Sequence, residues 1–304
     1  MVLEEESSDT CNLQMTSCSW RWENNTMNST KEDHLKVPGA SLYYQIRGAG
    51  PVLLMIPGGP TDATVFAGIA PLLADRYTVV TYDPRGLSRS KLDGVPEDQR
   101  IVETFADDAH RLLTAVRSEP AFVFGNSCGA LIGLELVTHH PQQVRTLVAH
   151  EPPAATLLPD GPAALGAMQE VYDTYRSMGI GPAMQKFLVA AGIPDGPDFR
   201  SQGEPSPEMI EAMREMQRNL EFFLEHYLLA VTGYQPDIDA LLIGSTRVVA
   251  AVGEASAGQL AYRGAVALAE QLGMEAVVFP GDHGGFTTHP DAFAATLHQV
   301  LVAG

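Results

Sequence analysis

Hydrophobic and polar positions along the chain change their period repeatedly, and the changes follow a regular order. Short apolar, β-prone runs ("SLYYQI", "PVLLMIP", "YTVVTYD", "AFVFG", "VRTLVAH", "TRVVAAVG", "EAVVFPG") alternate with stretches of helical spacing. In residues 100–117 the apolar positions are Ile101, Phe105, Ala109, Leu112, Leu113 and Val116, which is one face of a helix. Further helices are predicted over about 64–74, 129–139, 259–272 and 291–302. "SLYYQI" and "PVLLMIP", separated by Arg47-Gly48-Ala49-Gly50, read as a hairpin. Strands that alternate with helices predict a mostly parallel sheet with helices on both faces, an α/β fold.

Two stretches depart from the alternation. Residues 1–33 are polar and rich in Ser, Thr and Asn, and predict a disordered leader. Residues 154–238 are rich in Met, Ala and Glu, interrupted by Pro and Gly, and carry no strand pattern. Within them "PEMIEAMREMQRNLEFFLEHYLLAV" reads as a long amphipathic helix or two. The expected organisation is a core formed by 34–153 and 239–304, with 154–238 inserted as a helical cap. An apolar lid over a pocket is the economical use for such an insertion.

Composition changes this picture little. The chain has 304 residues, 45% of them hydrophobic and 18% charged, which suits a globular core. A formal charge of −18 argues against nucleic acid or an anionic membrane as partner, since both select basic faces. No run approaches the ~18 apolar residues of a membrane span, and the N-terminus, with three early glutamates, lacks the apolar segment of a secretion signal. The cytoplasm is therefore the expected compartment, and Asn24-Asn25-Thr26 and Asn28-Ser29-Thr30 read as chance glycosylation matches. Cys11, Cys18 and Cys128 form neither a disulfide framework nor a metal spacing. A homodimer stays open.

The chemistry gathers around "FVFGNSCGAL". Gly125 and Gly129 bracket Ser127 as G-x-S-x-G between a predicted strand and a predicted helix. A sharp turn there exposes the Ser127 hydroxyl, and the glycines admit a corner that larger side chains would block. The Cys128 N–H falls at a helix N-terminus, where developing negative charge is stabilised. A serine hydroxyl needs a base, and nine histidines are available. His283, in "FPGDHGGF", follows a predicted strand by three residues; His289, in "HPDAF", reads as a helix start.

In these motifs the chain resembles the α/β-hydrolase superfamily over about 34–304. The resemblance implies that His283 is the base and that "IPGGP" is the oxyanion loop, with Gly59 as second donor and Pro60 beside the substrate; Pro57 stands where many members carry His. "YDPRGLSRS" resembles the turn after the next strand and takes a structural role. The acid is less direct. Members commonly place an Asp in G-x-x-D after the strand "RVVAAVG", but here Gly253-Glu254-Ala255-Ser256 ends in serine. Glu254 is one alternative. The other is Glu151 in "LVAHEPP", a position similar to that of the acid in haloalkane dehalogenases and in zearalenone lactonases. Rigid support from the strand before it and Pro152-Pro153 after it favours Glu151.

A serine in the nucleophile position, rather than the Asp of dehalogenases and epoxide hydrolases, implies acyl transfer without metal or organic cofactor. The expected substrate is a small-molecule carboxylic ester or lactone, with a bulky apolar lactone of the zearalenone type as the finer reading. Phe222, Phe223, Tyr227 and the adjoining Leu228 are expected to wall its pocket. Two other hydrolase activities stay open, proline-iminopeptidase-like and haloperoxidase-like. So does a hydrolase-fold binding protein that uses the pocket without chemistry.

Overall fold

A computed structural model describes residues 30–96, 100–116, 119–193 and 206–303. Nine strands form one sheet: β1 (Lys31–Val37), β2 (Ala40–Arg47), β3 (Val52–Ile56), β4 (Thr78–Tyr82), β5 (Lys91–Leu92), β6 (Ala121–Asn126), β7 (Val144–His150), β8 (Arg247–Gly253) and β9 (Val277–Phe279). Their order is β1-β2-β4-β3-β6-β7-β8-β9, with β5 on β2. From β4 to β9 every neighbouring pair is parallel, while β1, β2 and β5 are antiparallel additions at one edge.

The helices are α1 (Ala70–Leu73), α2 (Ile101–Val116), α3 (Cys128–His139), α4 (Gly161–Met178), α5 (Ile180–Ala191), α6 (Pro207–Phe222), α7 (Leu228–Thr232), α8 (Ile238–Ile243), α9 (Leu260–Gln271), α10 (Gly285–Thr288) and α11 (Pro290–Val302). Strands β3, β4 and β6 are buried along their whole length, as a sheet covered on both faces demands. Side chains from α2, α3 and α9 pack on one face. On the other, Phe66, Phe124, Phe279, Phe286 and Phe293 form an aromatic layer with α11. Helices α4 to α7 fill the stretch expected as a cap, and no strand occurs among its described residues. Ser206 starts α6 by accepting the Met209 N–H (3.3 Å), and Pro207 occupies a first-turn position where a missing N–H costs nothing.

Three expectations change. The leader ends earlier, because Lys31–Asp33 belong to β1; their side chains are exposed on this edge strand, so no apolar alternation announces it. The rest of the leader lies outside the described residues. β2 and β3 do not form a hairpin, because both edges of β3 are taken by parallel β4 and β6. Their connection instead lies against the α1–β4 segment, where a Cβ on Gly48 would stand 2.1 Å from the Ala74 carbonyl oxygen. The helix over 64–74 is split into a 3₁₀ turn (Ala63–Phe66) and α1, because Gly68 and Pro71 weaken its continuous ladder.

Candidate active site

The turn after β6 is held by contacts that leave no room for side chains. A Cβ on Gly125 would lie 2.3 Å from the Gly129 carbonyl oxygen, and one on Gly129 would lie 2.3 Å from that of Ile56. A Cβ on Gly58 would meet that of Ser127 at 2.6 Å. Within this corner Ser127 takes φ 55° and ψ −123°, a conformation that costs on the order of 1–3 kcal/mol for a non-glycine residue. Its N–H donates to the His150 carbonyl (2.9 Å), which ties the turn to β7. The strain is therefore held by the sheet, and Ser127 stands between the strand and the N-terminus of α3.

Glu151 directly follows His150, the last residue of β7, and also has positive φ, 48°. Its backbone N–H donates to the Ala251 carbonyl of β8 (2.9 Å), and its side chain is wholly buried. One carboxylate oxygen accepts the Gly253 N–H (2.8 Å); the other lies 2.6 Å from His283 Nδ1. Burial pushes the Glu151 carboxyl up, but the His283 hydrogen bond and charge outweigh it, with the Ser256 hydroxyl helping, and the group titrates below the ordinary carboxylate range. The buried serine that occupies the usual acid position thus supports the carboxylate that does the pairing. Glu254 is exposed and accepts the Gly281 N–H (3.2 Å), while His289 bonds Thr288 at the start of α11. Neither takes part in the His283–Glu151 pair.

Gly59 has φ +47° and faces open space at its Cα, next to Pro60 and Thr61. The loop is anchored from behind by the "YDPRGLSRS" turn. Asp83 accepts the Ala63 N–H (3.0 Å) and pairs with Arg89 (2.7 Å), and the Ser88 hydroxyl donates to Asp62 (2.5 Å). Arg85 of the same turn forms a buried two-pronged pair with Asp108 of α2. The structural role expected for this turn is thus visible in its partners. The Cys128 thiol is buried, which pushes it up to about 11 against smaller opposing effects from Gly59 and Ser127. It stays protonated at neutral pH, which leaves the serine as the nucleophile candidate of the two adjacent side chains.

Ser127 and His283 border one cavity of about 310 Å³. Gly59, Pro60 and Cys128 reach it from the core side, and Met168, Phe187, Phe223 and Leu228 close it from the cap. Phe222 and Tyr227 are absent from its walls, contrary to expectation. Phe222 lies over Gly86, its ring 2.5 Å from where a Cβ would stand, and so clamps the cap to the turn below. Tyr227 is stacked on Phe105, with ring centroids 5.0 Å apart. The reason is a π-helical turn over Phe223–Tyr227. In an unbroken α-helix Phe223 and Tyr227 would share a face; here the Leu228 N–H reaches the Phe223 carbonyl, and Tyr227 meets Phe223 only edge-on (5.8 Å) with its ring in the core. Such a turn leaves no mark in hydrophobic spacing. Phe187 and Met168 come from helices whose cavity face could not be told from their packing face.

The sequence over residues 51–224 matches the family model of the alpha/beta hydrolase fold, and the chain belongs to that family. It is accordingly a hydrolase, similar to the uncharacterised hydrolase YraK of Bacillus subtilis (strain 168), with 39% identity covering 88% of this chain and 94% of the relative. Among solved structures, a thermophilic esterase from Thermogutta terrifontis has 22% identity and a TM-score of 0.66, covering 88% of this chain and 98% of its own. Est816, described as an N-acyl homoserine lactone degrading enzyme, has 21% identity and a TM-score of 0.65 over 88% and 99% of the two chains. At such identities these two structures speak to the fold. No described helix is long and apolar enough to cross a membrane.

Proposed function

We propose that this protein is a serine hydrolase that cleaves a carboxylic ester or lactone with a bulky apolar body through an acyl-enzyme. The observation that carries the reading is the junction of the strained Ser127 turn and the Glu151-paired His283 at one largely apolar cavity. Glu151 holds the proton of His283 on Nδ1, which leaves Nε2 free to accept the hydroxyl proton of Ser127. The Ser127 oxygen then bonds to the substrate carbonyl carbon, and the oxyanion receives the Gly59 and Cys128 N–H groups. Collapse breaks the ester bond as imidazolium gives its proton to the departing alkoxide. Water repeats the sequence on the acyl-enzyme, and the acid product leaves.

Buried and below its ordinary range, the Glu151 carboxyl is ionised at neutral pH and stabilises the imidazolium between these steps. Closure by Phe187, Phe223 and Leu228 suits an apolar acyl or alcohol group, consistent with a lactone of the zearalenone type. The names of the similar structures, an esterase and a lactone-degrading enzyme, agree with this class. The test is turnover of p-nitrophenyl esters and of zearalenone-like lactones, with and without a fluorophosphonate. Turnover that the fluorophosphonate blocks supports the reading. Turnover untouched by it, or no turnover of any ester or lactone, contradicts it.

A further inference from the structure

The mechanism leaves unused the residue directly before Ser127. Asn126 ends β6 opposite His150 in the parallel register with β7, borders the cavity and is only 6% exposed. His150 is fully buried beneath it, with the rings of Phe124, Phe279 and Phe293 around it. The His150 Nδ1 lies 2.9 Å from the Asn126 side-chain oxygen, so the imidazole N–H donates there and fixes which end of the amide faces inward. The amide nitrogen donates to no described residue and, unlike the His150 Nε2, is not sealed off from solvent. Burial lowers His150 to about 3, which keeps the ring neutral and the arrangement unchanged across working pH.

Other polar groups at the wall do not offer the same thing. The hydroxyls of Thr61, Thr232 and Thr287 donate to the carbonyls of Gly58, Leu228 and Gly284. Gln259 also borders the cavity with an amide, but it stands at the start of α9, whereas Asn126 presents a neutral N–H donor held by His150 one residue from the nucleophile. A donor facing an apolar cavity is best met when an acceptor oxygen of a ligand reaches it.

Resting on the serine-hydrolase reading, we propose that Asn126 is a specificity-determining residue whose amide N–H receives an acceptor oxygen on the acyl group of the substrate, and that His150 is the positioning residue that aims it. The acyl side is favoured by proximity. The atoms next to the acyl carbon stay bonded to Ser127 through both half-reactions, whereas the alcohol leaves after the first. An alkoxy or keto oxygen close to the scissile carbonyl is the chemistry this donor selects, and a purely hydrocarbon acyl chain leaves it unmet.

The test compares p-nitrophenyl methoxyacetate with p-nitrophenyl butyrate, two esters of equal acyl length, each kcat/KM normalised to its own hydroxide-catalysed rate. The protein as it stands is expected to favour the methoxyacetyl ester by about tenfold to a hundredfold. Asn126→Asp keeps an acceptor for His150 and replaces the N–H donor by a carboxylate that repels an acceptor oxygen; Asn126→Leu removes donor and acceptor alike. Each is expected to bring the ratio of methoxyacetate to butyrate turnover to within about twofold of unity. His150→Phe is expected to reduce the preference partially, because the amide is then free to turn. Equal loss on both esters in the Asp variant, or no preference in the parent, overturns the proposal. No turnover of either ester overturns the hydrolase reading itself, so the two failures are distinct.

Discussion

The Ser127 turn and the cap meet at the same cavity but are built under opposite constraints. At the turn, backbone approaches backbone so closely that Gly58, Gly125 and Gly129 have no alternative, and two residues, Ser127 and Glu151, are held at positive φ by ladders from neighbouring strands. In the cap, helices bury apolar side chains on several partners at once, and the cavity takes whichever of them the packing leaves over. Geometry tight enough to orient a reaction is written into residue types at fixed spacing. A wall that selects a substrate needs only apolar surface of suitable shape, which many sequences supply.

The largest expected effect is at the turn. Ser127→Ala should lower kcat by about six orders of magnitude, as loss of a triad nucleophile does, with the unfolding transition little changed. Next comes the acid. Glu151→Gln keeps the shape but not the charge, and should lower kcat by about 10³–10⁴ by analogy with triad acids. Glu254→Gln should leave it within about twofold, its carboxylate being exposed on the Gly281 loop. Steady-state kinetics of the pair checks this, and the reverse ranking breaks the account of the site.

Cap substitutions should separate specificity from stability. Phe223→Ala should lower kcat/KM for a bulky ester by about tenfold while leaving an acetate ester near its parent value. Phe222→Ala should instead destabilise by about 1–3 kcal/mol with little change in selectivity, since its ring rests on Gly86 and not on the cavity. Urea unfolding and a short ester series distinguish the two. If they behave alike, the division between wall and clamp is wrong.

A further effect is a pH dependence of stability. His150 is lowered to about 3 by burial, below its ordinary 6.5, so the unfolded chain binds the extra proton first. The stability linked to His150 is present above about pH 6.5 and is lost as pH falls toward 3, at up to about 1.4 kcal/mol per unit. Glu151, also lowered, contributes in the same direction but only below its ordinary carboxylate range, near 4.5. His150→Phe should flatten the slope between pH 6.5 and 5, measured by urea unfolding at each pH. An unchanged slope would show that the imidazole titrates normally in the fold.

The same contrast explains what the sequence disclosed. Alternating periods gave the parallel sheet and α2, α3, α9 and α11 to within a residue or two, because buried strands and one-sided helices have distinct repeats. Ser127 stands out because glycines punctuate its turn, whereas His283 and Glu151 come from the resemblance of their loops to those of α/β-hydrolases. The edge strand β1 did not, since its exposed side chains carry no burial signal. Helical spacing cannot reveal a π-turn and so puts Tyr227 at the cavity, and the several apolar faces of α5 leave Phe187 without a distinguishing signal. The part of Ser256 in supporting Glu151 was hidden for another reason: at the usual acid position it registers first as a missing carboxylate.

The most direct measurement for the central claim is covalent labelling with a fluorophosphonate, read by intact mass and then by peptide mapping. If Ser127 is activated by His283, one equivalent of adduct should form and map to the peptide carrying residues 122–131. It should be absent from Ser127→Ala and formed far more slowly in His283→Ala. An adduct on another serine, or labelling that persists unchanged in Ser127→Ala, would contradict it.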